Sequence, residues 1–489
     1  MDRSLISRRA FLGASAAGAA FAAVGARRAR AEARPGYGGR IVASLSSAPL
    51  TFDPLAAWTY ADVTLIGLVF DTLYRVDARG RIAPQLAATL PEAASATSVR
   101  IRLRRGVRCH DGHELSVADA VAALTRAARS PLADWALADV DGIAADGNAI
   151  KLELRRAVAP LDLALALSAP QLSIVRTGKK AASGSGPFKL ATQAAHRVEL
   201  SAHEDCFAGR PYVDQLTLRW FDRPDDEARA YEVGDADVSL RGAVAFAGHQ
   251  PKYATDVVDG TATWLAFLGF GRSNAAVTDV PGFRAALSQA IGRSAFKHIG
   301  SGERVVPALV PESPDLGGAV PDAAAQTARP DAAALRPAAS LRLSLITDRT
   351  RLDDADVAAR IVTGLDAAGV SASYEALEPG EYARRVATGK CDLWLGQLLA
   401  PTTDPLHEIL LAFAAGGSRW AVGERRAGKL DRARALTEWS KRWPVVPLYH
   451  RAVRAHHRET LHGVGFDALG RVTFADAFTF GGGGAGGGR

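Results

Sequence analysis

Cysteine is scarce in this 489-residue chain, with only Cys109, Cys206 and Cys391 present. Three scattered thiols cannot make a disulfide framework, so each is read as a small core residue. Long apolar runs are lacking too. The longest, Phe11 to Ala26, is 16 residues of mostly Ala and Gly, short of the ~20 strongly apolar residues that a spanning helix needs. Signatures of chemistry are missing as well. There is no phosphate-loop lysine, HExxH helix, CxxC pair or Gly-x-Ser-x-Gly elbow. Asp225-Asp226-Glu227 and the group Asp353, Asp354, Asp356 read as solvated helix entries, where exposed N–H groups favour anions. Cys109, His110 and His113 read as a core residue and turn residues rather than metal ligands. His450, His456, His457 and His462, set among Arg451, Arg454 and Arg458, read as a solvated basic face. His456 and His457 are adjacent and would leave a strand on opposite sides, which works against joint ligation. No metal and no cofactor are expected.

A strongly basic body is also missing, although the chain carries a formal +7. Ser7-Arg-Arg-Ala-Phe-Leu-Gly13 matches the twin-arginine export pattern, and Ala29-Arg-Ala31 offers a small-x-small cleavage site. Residues 1–31 are therefore expected to be a signal handled by the twin-arginine translocase and cut after Ala31. No cysteine stands near the cut to carry a lipid. That segment holds six arginines and Asp2, a net +5, which leaves only +2 of the +7 on residues 32–489. A nucleic-acid partner loses its electrostatic basis. Twin-arginine cargo folds before export in a reducing compartment, where free thiols are ordinary. The 458 residues that follow suggest about three structural units at ~150 residues each.

What is present is most legible between Val99 and Ala128. Val99, Ile101 and Leu103 alternate with Arg100, Arg102 and Arg104, the period of a strand with one buried face. The chain turns through His110-Asp-Gly-His113. Ser116 and Asp119 then have the spacing of a capping box ahead of Ala120, Val121, Leu124 and Ala128 on one helical face. Farther on, Phe283, Leu287, Ala290 and Ile291 share a helix face. Residues 311–340, rich in Pro, Ala and Asp without periodicity, read as a connecting loop. A β-α-β unit follows. Leu341, Leu343 and Leu345 alternate, Val357, Ile361 and Leu365 share a face, and Gly369 stops the helix before Val370–Tyr374. An amphipathic helix is expected around Leu430 to Trp443. The glycine-rich tail, 481–489, reads as disordered.

Leu103-Arg-Arg-Gly-Val-Arg-Cys-His-Asp-Gly-His-Glu-Leu-Ser-Val-Ala-Asp-Ala-Val121 resembles a signature of the family 5 extracellular solute-binding proteins, the peptide-, nickel- and glycoside-binding subunits of bacterial ABC importers. Other segments resemble family motifs in the same order. They include Thr51-Phe-Asp-Pro54, Leu65–Tyr74, Ile82–Ala87, Ser183-Gly-Ser-Gly-Pro-Phe188, Glu204–Asp214, Val233–Asp237 and Pro444–Tyr449. The glycines at 184 and 186 read as a structural turn that permits close backbone approach.

The resemblance implies an α/β fold of two lobes, the type II (cluster C) periplasmic binding protein arrangement, with an extra inserted α/β subdomain. The first lobe is expected from 36–77, 179–262 and 452–480, the inserted subdomain from 78–178, and the second lobe from 263–451. It also implies a periplasmic, monomeric, non-enzymatic protein that closes on a small solute and delivers it to an ABC permease. Implied ligand contacts are Trp58, Tyr60, Trp264, Trp394, Gln397, Thr402, Thr403 and Asp404. Two other classes remain open at this point: a sensor or scaffold that has lost transport, and a twin-arginine-exported enzyme. One departure is informative. Peptide binders of the family carry Trp-x-x-Asp-x-x-Asp-Pro, whose first Asp meets a peptide's ammonium. Only the second acid, Asp404, is matched here, and Ala400 or Pro401 falls where the first should stand. A buried ammonium without a counter-charge is costly, so free-amino peptides are not the expected ligand.

Overall fold

Alternation and capping act first. In a computed structural model of the chain, the described residues are 36–177, 182–241, 252, 255–297, 299, 304–320 and 329–479. The segment expected to direct export, residues 1–31, and the glycine-rich tail lie outside them. Val99 and Ile101 are buried in the strand Ser98–Arg102 while Arg100 and Arg102 stay exposed. The following helix, Val117–Ala127, starts on the expected box: Ser116 accepts from the Asp119 N–H and Asp119 accepts from that of Ser116. This strand belongs to a four-stranded antiparallel sheet ordered Glu92–Ser95, Ser98–Arg102, Ala149–Leu154, Val140–Asp146.

Two larger sheets carry most of the remaining strands, with four two-stranded ribbons beside them among the described residues. The first has seven strands, ordered Phe188–Ala194, Arg197–Ala202, Gln215–Arg219, Arg40–Ser44, Val238–Ser239, Arg454–Arg458, Thr255–Asp259. Arg40–Ser44 runs parallel to both of its neighbours. The second has six, ordered Val305–Pro307, Val446–Arg451, Trp264–Phe270, Leu393–Leu399, Arg342–Asp348, Ser371–Leu377. Its β-α-β unit is the one legible in sequence. Arg342–Asp348 and Ser371–Leu377 pair in parallel, and helix Asp354–Ala367 between them buries Val357, Ile361 and Leu365. Leu393–Leu399 is buried along its whole length, as a central strand covered on both faces must be. The four-stranded sheet falls in sequence between the first two strands of the seven-stranded one.

Helix Tyr60–Val69 packs its apolar residues into the core of the first sheet. Thr59 and Asp62 form a second capping box at its start. Asp62 does more than cap. Its buried carboxylate also accepts from the N–H groups of Leu50 (2.6 Å) and Thr51 (3.2 Å), which ties down the loop entering the helix. The turn at Gly184 and Gly186 presses on the end of this helix. A Cβ on Gly184 would stand 2.0 Å from the Val69 carbonyl oxygen, and one on Gly186 would stand 2.6 Å from the Val69 carbonyl carbon. Only glycine fits there. All three cysteines are buried and unpaired, as expected. The 311–340 segment contains three short helical turns among its described residues, Pro314–Leu316, Ala332–Leu335 and Arg336–Ala338.

Candidate functional site

The chain crosses between the two large sheets twice, from Asp259 to Trp264 and from Arg451 to Arg454. The crossings lie side by side, and the Gly260 N–H donates to the Val453 carbonyl at 2.8 Å. Beside them is a narrow cleft, partly open to solvent, with a free interior of about 20 Å³. Ser46 and Arg241 line it from the first body. Trp264, Gln397 and Tyr449 line it from the second, together with Arg351, Arg451, Asp353 and Asp354.

Arginine dominates the electrostatics of this cleft. Arg241 pairs with Glu227 at 2.9 Å and donates to the carbonyls of Leu45, Phe221 and, across the gap, Thr350. Burial pushes the Glu227 carboxyl upward against the pull of Arg241. Arg351 is 4% exposed, lies over the Tyr382 ring (4.7 Å to its centre), and donates through Nη1 to the Leu395 carbonyl at 3.1 Å. Asp354 Oδ2 is 3.2 Å from the same Nη1. Burial lifts Asp354 to about 7 despite that neighbour. Arg451 pairs with Asp353 and stacks over Trp264 at 5.2 Å. Two sequence expectations are corrected here. Glu227 and Asp354 are not solvated helix entries but buried acids, because each faces a buried guanidinium that a single helix-face pattern does not reveal. Arg241 and Arg351 escaped the sequence reading because nothing local marks them as buried: Glu227 lies on another element, and Asp354, though only three residues from Arg351, reads as an exposed helix entry.

The implied contact residues fall in several places. Trp264 and Gln397 line the cleft. Trp58 and Trp394 meet each other, ring centres 5.3 Å apart. The Trp394 indole occupies a slot left by two glycines. A Cβ on Gly269 would stand 2.1 Å from it, and one on Gly396 would stand 2.4 Å away. Tyr60 is fully buried. It packs beside Trp264 (6.0 Å) and its oxygen accepts from the Val472 N–H at 3.2 Å. Thr402 bonds His407 Nδ1 at 2.7 Å, and Thr403 beside it is half-buried. Asp404 caps helix Pro405–Ala415 through the Leu406 N–H and lines a separate cavity with Trp135, His407 and Arg425. Where the family's ammonium anchor would stand, Ala400 is 3% exposed. The acid that shares its small cavity is Glu408, which accepts from the Ser313 N–H at 2.8 Å. Burial, with Glu312 adding to it, drives Glu408 far toward the neutral form.

The histidine cluster also departs from expectation. His450 is 0% exposed and His457 is buried, so the group is not a solvated face. Strand Val446–Arg451 is covered on both sides, which periodicity alone did not disclose. Among the described residues no group of three or more His, Cys, Asp or Glu side chains is arranged to hold a metal ion. No helix among them is long and apolar enough to cross a membrane.

With this geometry in view, the chain matches the family model "Bacterial extracellular solute-binding proteins, family 5 Middle" over residues 81–419. It belongs to that family. A curated relative, the oligopeptide-binding protein AppA of Bacillus subtilis, is 23% identical over 301 residues, 58% of this chain. That match spans only about half (55%) of AppA's own length. Among solved structures, NikA from Staphylococcus aureus in complex with Ni(L-His)2 superposes with a TM-score of 0.73 at 15% identity, covering 90% of this chain and 99% of NikA. AppA in complex with a nonapeptide gives 0.72 at 17% identity, covering 91% and 100%. AgaA from A. tumefacien R10, in complex with agropinic acid, gives 0.71 at 18%, covering 89% and 99%. The fold is therefore the two-lobed α/β arrangement of these binding proteins.

Proposed function

We propose that this chain is the substrate-binding protein of an ABC importer, and that it captures a small solute between its two lobes and delivers it to a permease. The observation that carries this reading is the cleft at the double crossing, built from both lobes and lined by buried groups whose hydrogen bonds are incomplete. Two adjacent strand crossings let two rigid bodies swing with few backbone changes, and a solute that touches both only when closed shifts the population toward closure. No covalent step is needed, so the protein is proposed to be no enzyme. The lobe boundaries are proposed at 36–77, 179–262 and 452–480 for the first lobe and 263–451 for the second, with the inserted unit at 78–178. The setting is the periplasm, reached by the twin-arginine route after cleavage behind Ala31, and the protein acts as a monomer. Among the solutes bound by the relatives, free-amino peptides fit least, because Ala400 and a neutral Glu408 offer an ammonium no counter-charge.

Mass spectrometry of solute released from protein purified out of the periplasm tests this directly. A stoichiometric small molecule, together with a scattering profile that contracts when it is added back, is the expected result. Empty protein whose scattering is unmoved by peptides, sugars, opines or metal chelates would sink the proposal.

A further inference from the structure

We infer that the chain carries a second binding site, for a small organic cation, in a cavity between the segment 135–166 and the helices Pro405–Ala415 and Trp420–Arg426. The site does not depend on the cleft at the strand crossings and shares none of its lining. It is separate, too, from the small cavity beside Ala400. Trp135, Asp139 and Asp162 line it from one side, and Asp404, His407 and Arg425 line it from the other. Its free interior is about 160 Å³. A cavity of about 150 Å³ holds one benzene, so a cation of about six non-hydrogen atoms fits there and a peptide does not.

Three acids border this space, and the arginines beside it answer only one of them. Asp139 meets Arg156 and, at 2.8 Å, Arg425. Asp162 is exposed and has no ion pair among the described residues. Asp404 uses Oδ1 to cap its helix, accepting from the Leu406 N–H at 2.9 Å. Its Oδ2 stands 3.8 Å from His407 Nε2, beyond hydrogen-bond range. Two carboxylates are therefore uncompensated. Water can satisfy their hydrogen bonds but leaves their charge in place, whereas a cation answers both.

His407 points to an occupant independently of the acids. It is 5% exposed. Its Nδ1 bonds Thr402, which is not part of the lining, so the opposite edge of the ring faces the cavity. Nε2 on that edge has no hydrogen bond among the described residues. In the tautomer whose Nδ1–H donates to Thr402, Nε2 can accept one N–H of a cation. Burial pushes the ring's pKa down to about 4, so at neutral pH it adds no charge that would repel one. Val158, Leu163, Ala166 and Leu410 supply apolar wall, and Trp135 packs on His407 with ring centres 5.1 Å apart. Acids set among apolar and aromatic walls suit an alkylammonium or an alkylguanidinium with a short stem. A bare metal ion suits them less, since among the described residues no group of three or more His, Cys, Asp or Glu side chains is arranged to hold one.

Calorimetry on the full exported chain is the test. Probes are butylammonium, pentylammonium and ethylguanidinium, beside butanol, pentanol and pentanoate, with nickel and magnesium ions as the metal arm. At least one organic cation is expected to bind, one per chain. The alcohol of matching length should bind at least tenfold more weakly, and the carboxylate not at all. Asp162→Asn removes charge from an exposed residue that makes no ion pair. It should weaken the cation several-fold and leave the melting temperature unchanged. Asp404→Asn keeps a good helix cap while removing the charge, and should weaken the cation tenfold or more. Alcohols binding as well as the cations, tighter binding of either metal ion, failure of every organic cation at millimolar concentration, or indifference to either substitution would each overturn the inference. None of these outcomes bears on solute capture in the cleft, which the released-solute and scattering measurements decide.

Discussion

At the scale of single residues, burial decides which charges matter. Glu227 and Arg241 are both nearly inaccessible, and neither can lose the other cheaply. Glu227→Gln leaves a buried guanidinium without a charge partner, and a loss of about 3–5 kcal/mol in urea unfolding is expected. Glu227→Gln combined with Arg241→Met should recover much of that loss, since two neutral groups need no compensation. His450 presents the opposite case. It is 0% exposed, and neither ring nitrogen has a hydrogen-bond partner among the described residues. Burial holds its pKa down to about 4. Between pH 6.5 and about 4 the unfolded chain takes up a proton there that the folded chain refuses, so acidification costs stability, by up to roughly 3 kcal/mol from this residue. His407, also lowered to about 4, acts in the same direction. Asp71, raised to about 6, acts oppositely by binding its proton first in the folded state. The clean observable is therefore a difference: His450→Leu should be more stable than the parent at neutral pH by about 1–3 kcal/mol. Its lead should widen as the pH falls toward 4, by chemical denaturation at each pH.

At the scale of elements, what could be read in the sequence depended on whether the signal was local. The strand at Ser98–Arg102, its capped helix and the β-α-β unit from Arg342 to Leu377 were legible, because alternation, helical spacing and caps lie within a few residues of each other. The box at Thr59 and Asp62 carried the same local signal. The burial of Val446–Arg451 and the Arg241–Glu227 pairing did not, because they depend on which faces separate elements turn toward each other; Arg351 and Asp354 are only three residues apart, but their burial is set by the strands and helix packed over them. Trp264 and Gln397 stand on central strands at the cleft, whereas Thr402 and Asp404 serve the start of a helix that the strand's motif could not foresee. Trp394 shows why a tryptophan near a cleft is ambiguous: its slot is formed by Gly269 and Gly396 on paired strands. Gly396→Ala would place a methyl 2.3 Å from Phe267 and 2.4 Å from Trp394, both buried. A loss of about 1–3 kcal/mol is expected, with altered tryptophan emission as Trp394 is driven toward Trp58. Unchanged emission would mean that the slot relaxes elsewhere.

At the scale of the whole molecule, several contacts bridge the two lobes at the cleft. The Ala48 N–H donates to Thr350 Oγ1 at 3.0 Å, Arg241 donates to the Thr350 carbonyl at 3.1 Å, and Arg349 faces Asp222 at 3.5 Å. These contacts favour closure even without cargo. Thr350→Val removes one of them, and the ligand-free protein should then scatter with a larger radius of gyration than the parent, while saturating ligand erases the difference. Equal radii would show that Thr350 does not restrain opening.

The four-stranded unit grips both neighbours, and unequally. Toward the first lobe it is joined by its own chain and by hydrogen bonds, such as the Gln171 side-chain amide to the Ala57 carbonyl and the Ile174 N–H to that of Asp71. Toward the second it shares a buried apolar core, in which Trp135 packs on His407, and adds ion pairs from Asp134 and Asp139 to Arg419, Arg425 and Arg426. The ion-pair part of that hold, wetted on its arginine side, weakens in electrolyte, since the screening distance shrinks from about 8 Å to about 3 Å between 0.15 M and 1 M salt, while the apolar part does not. The ease with which the jaws part would then follow the salinity of the surroundings, and the hold on cargo would slacken in brine.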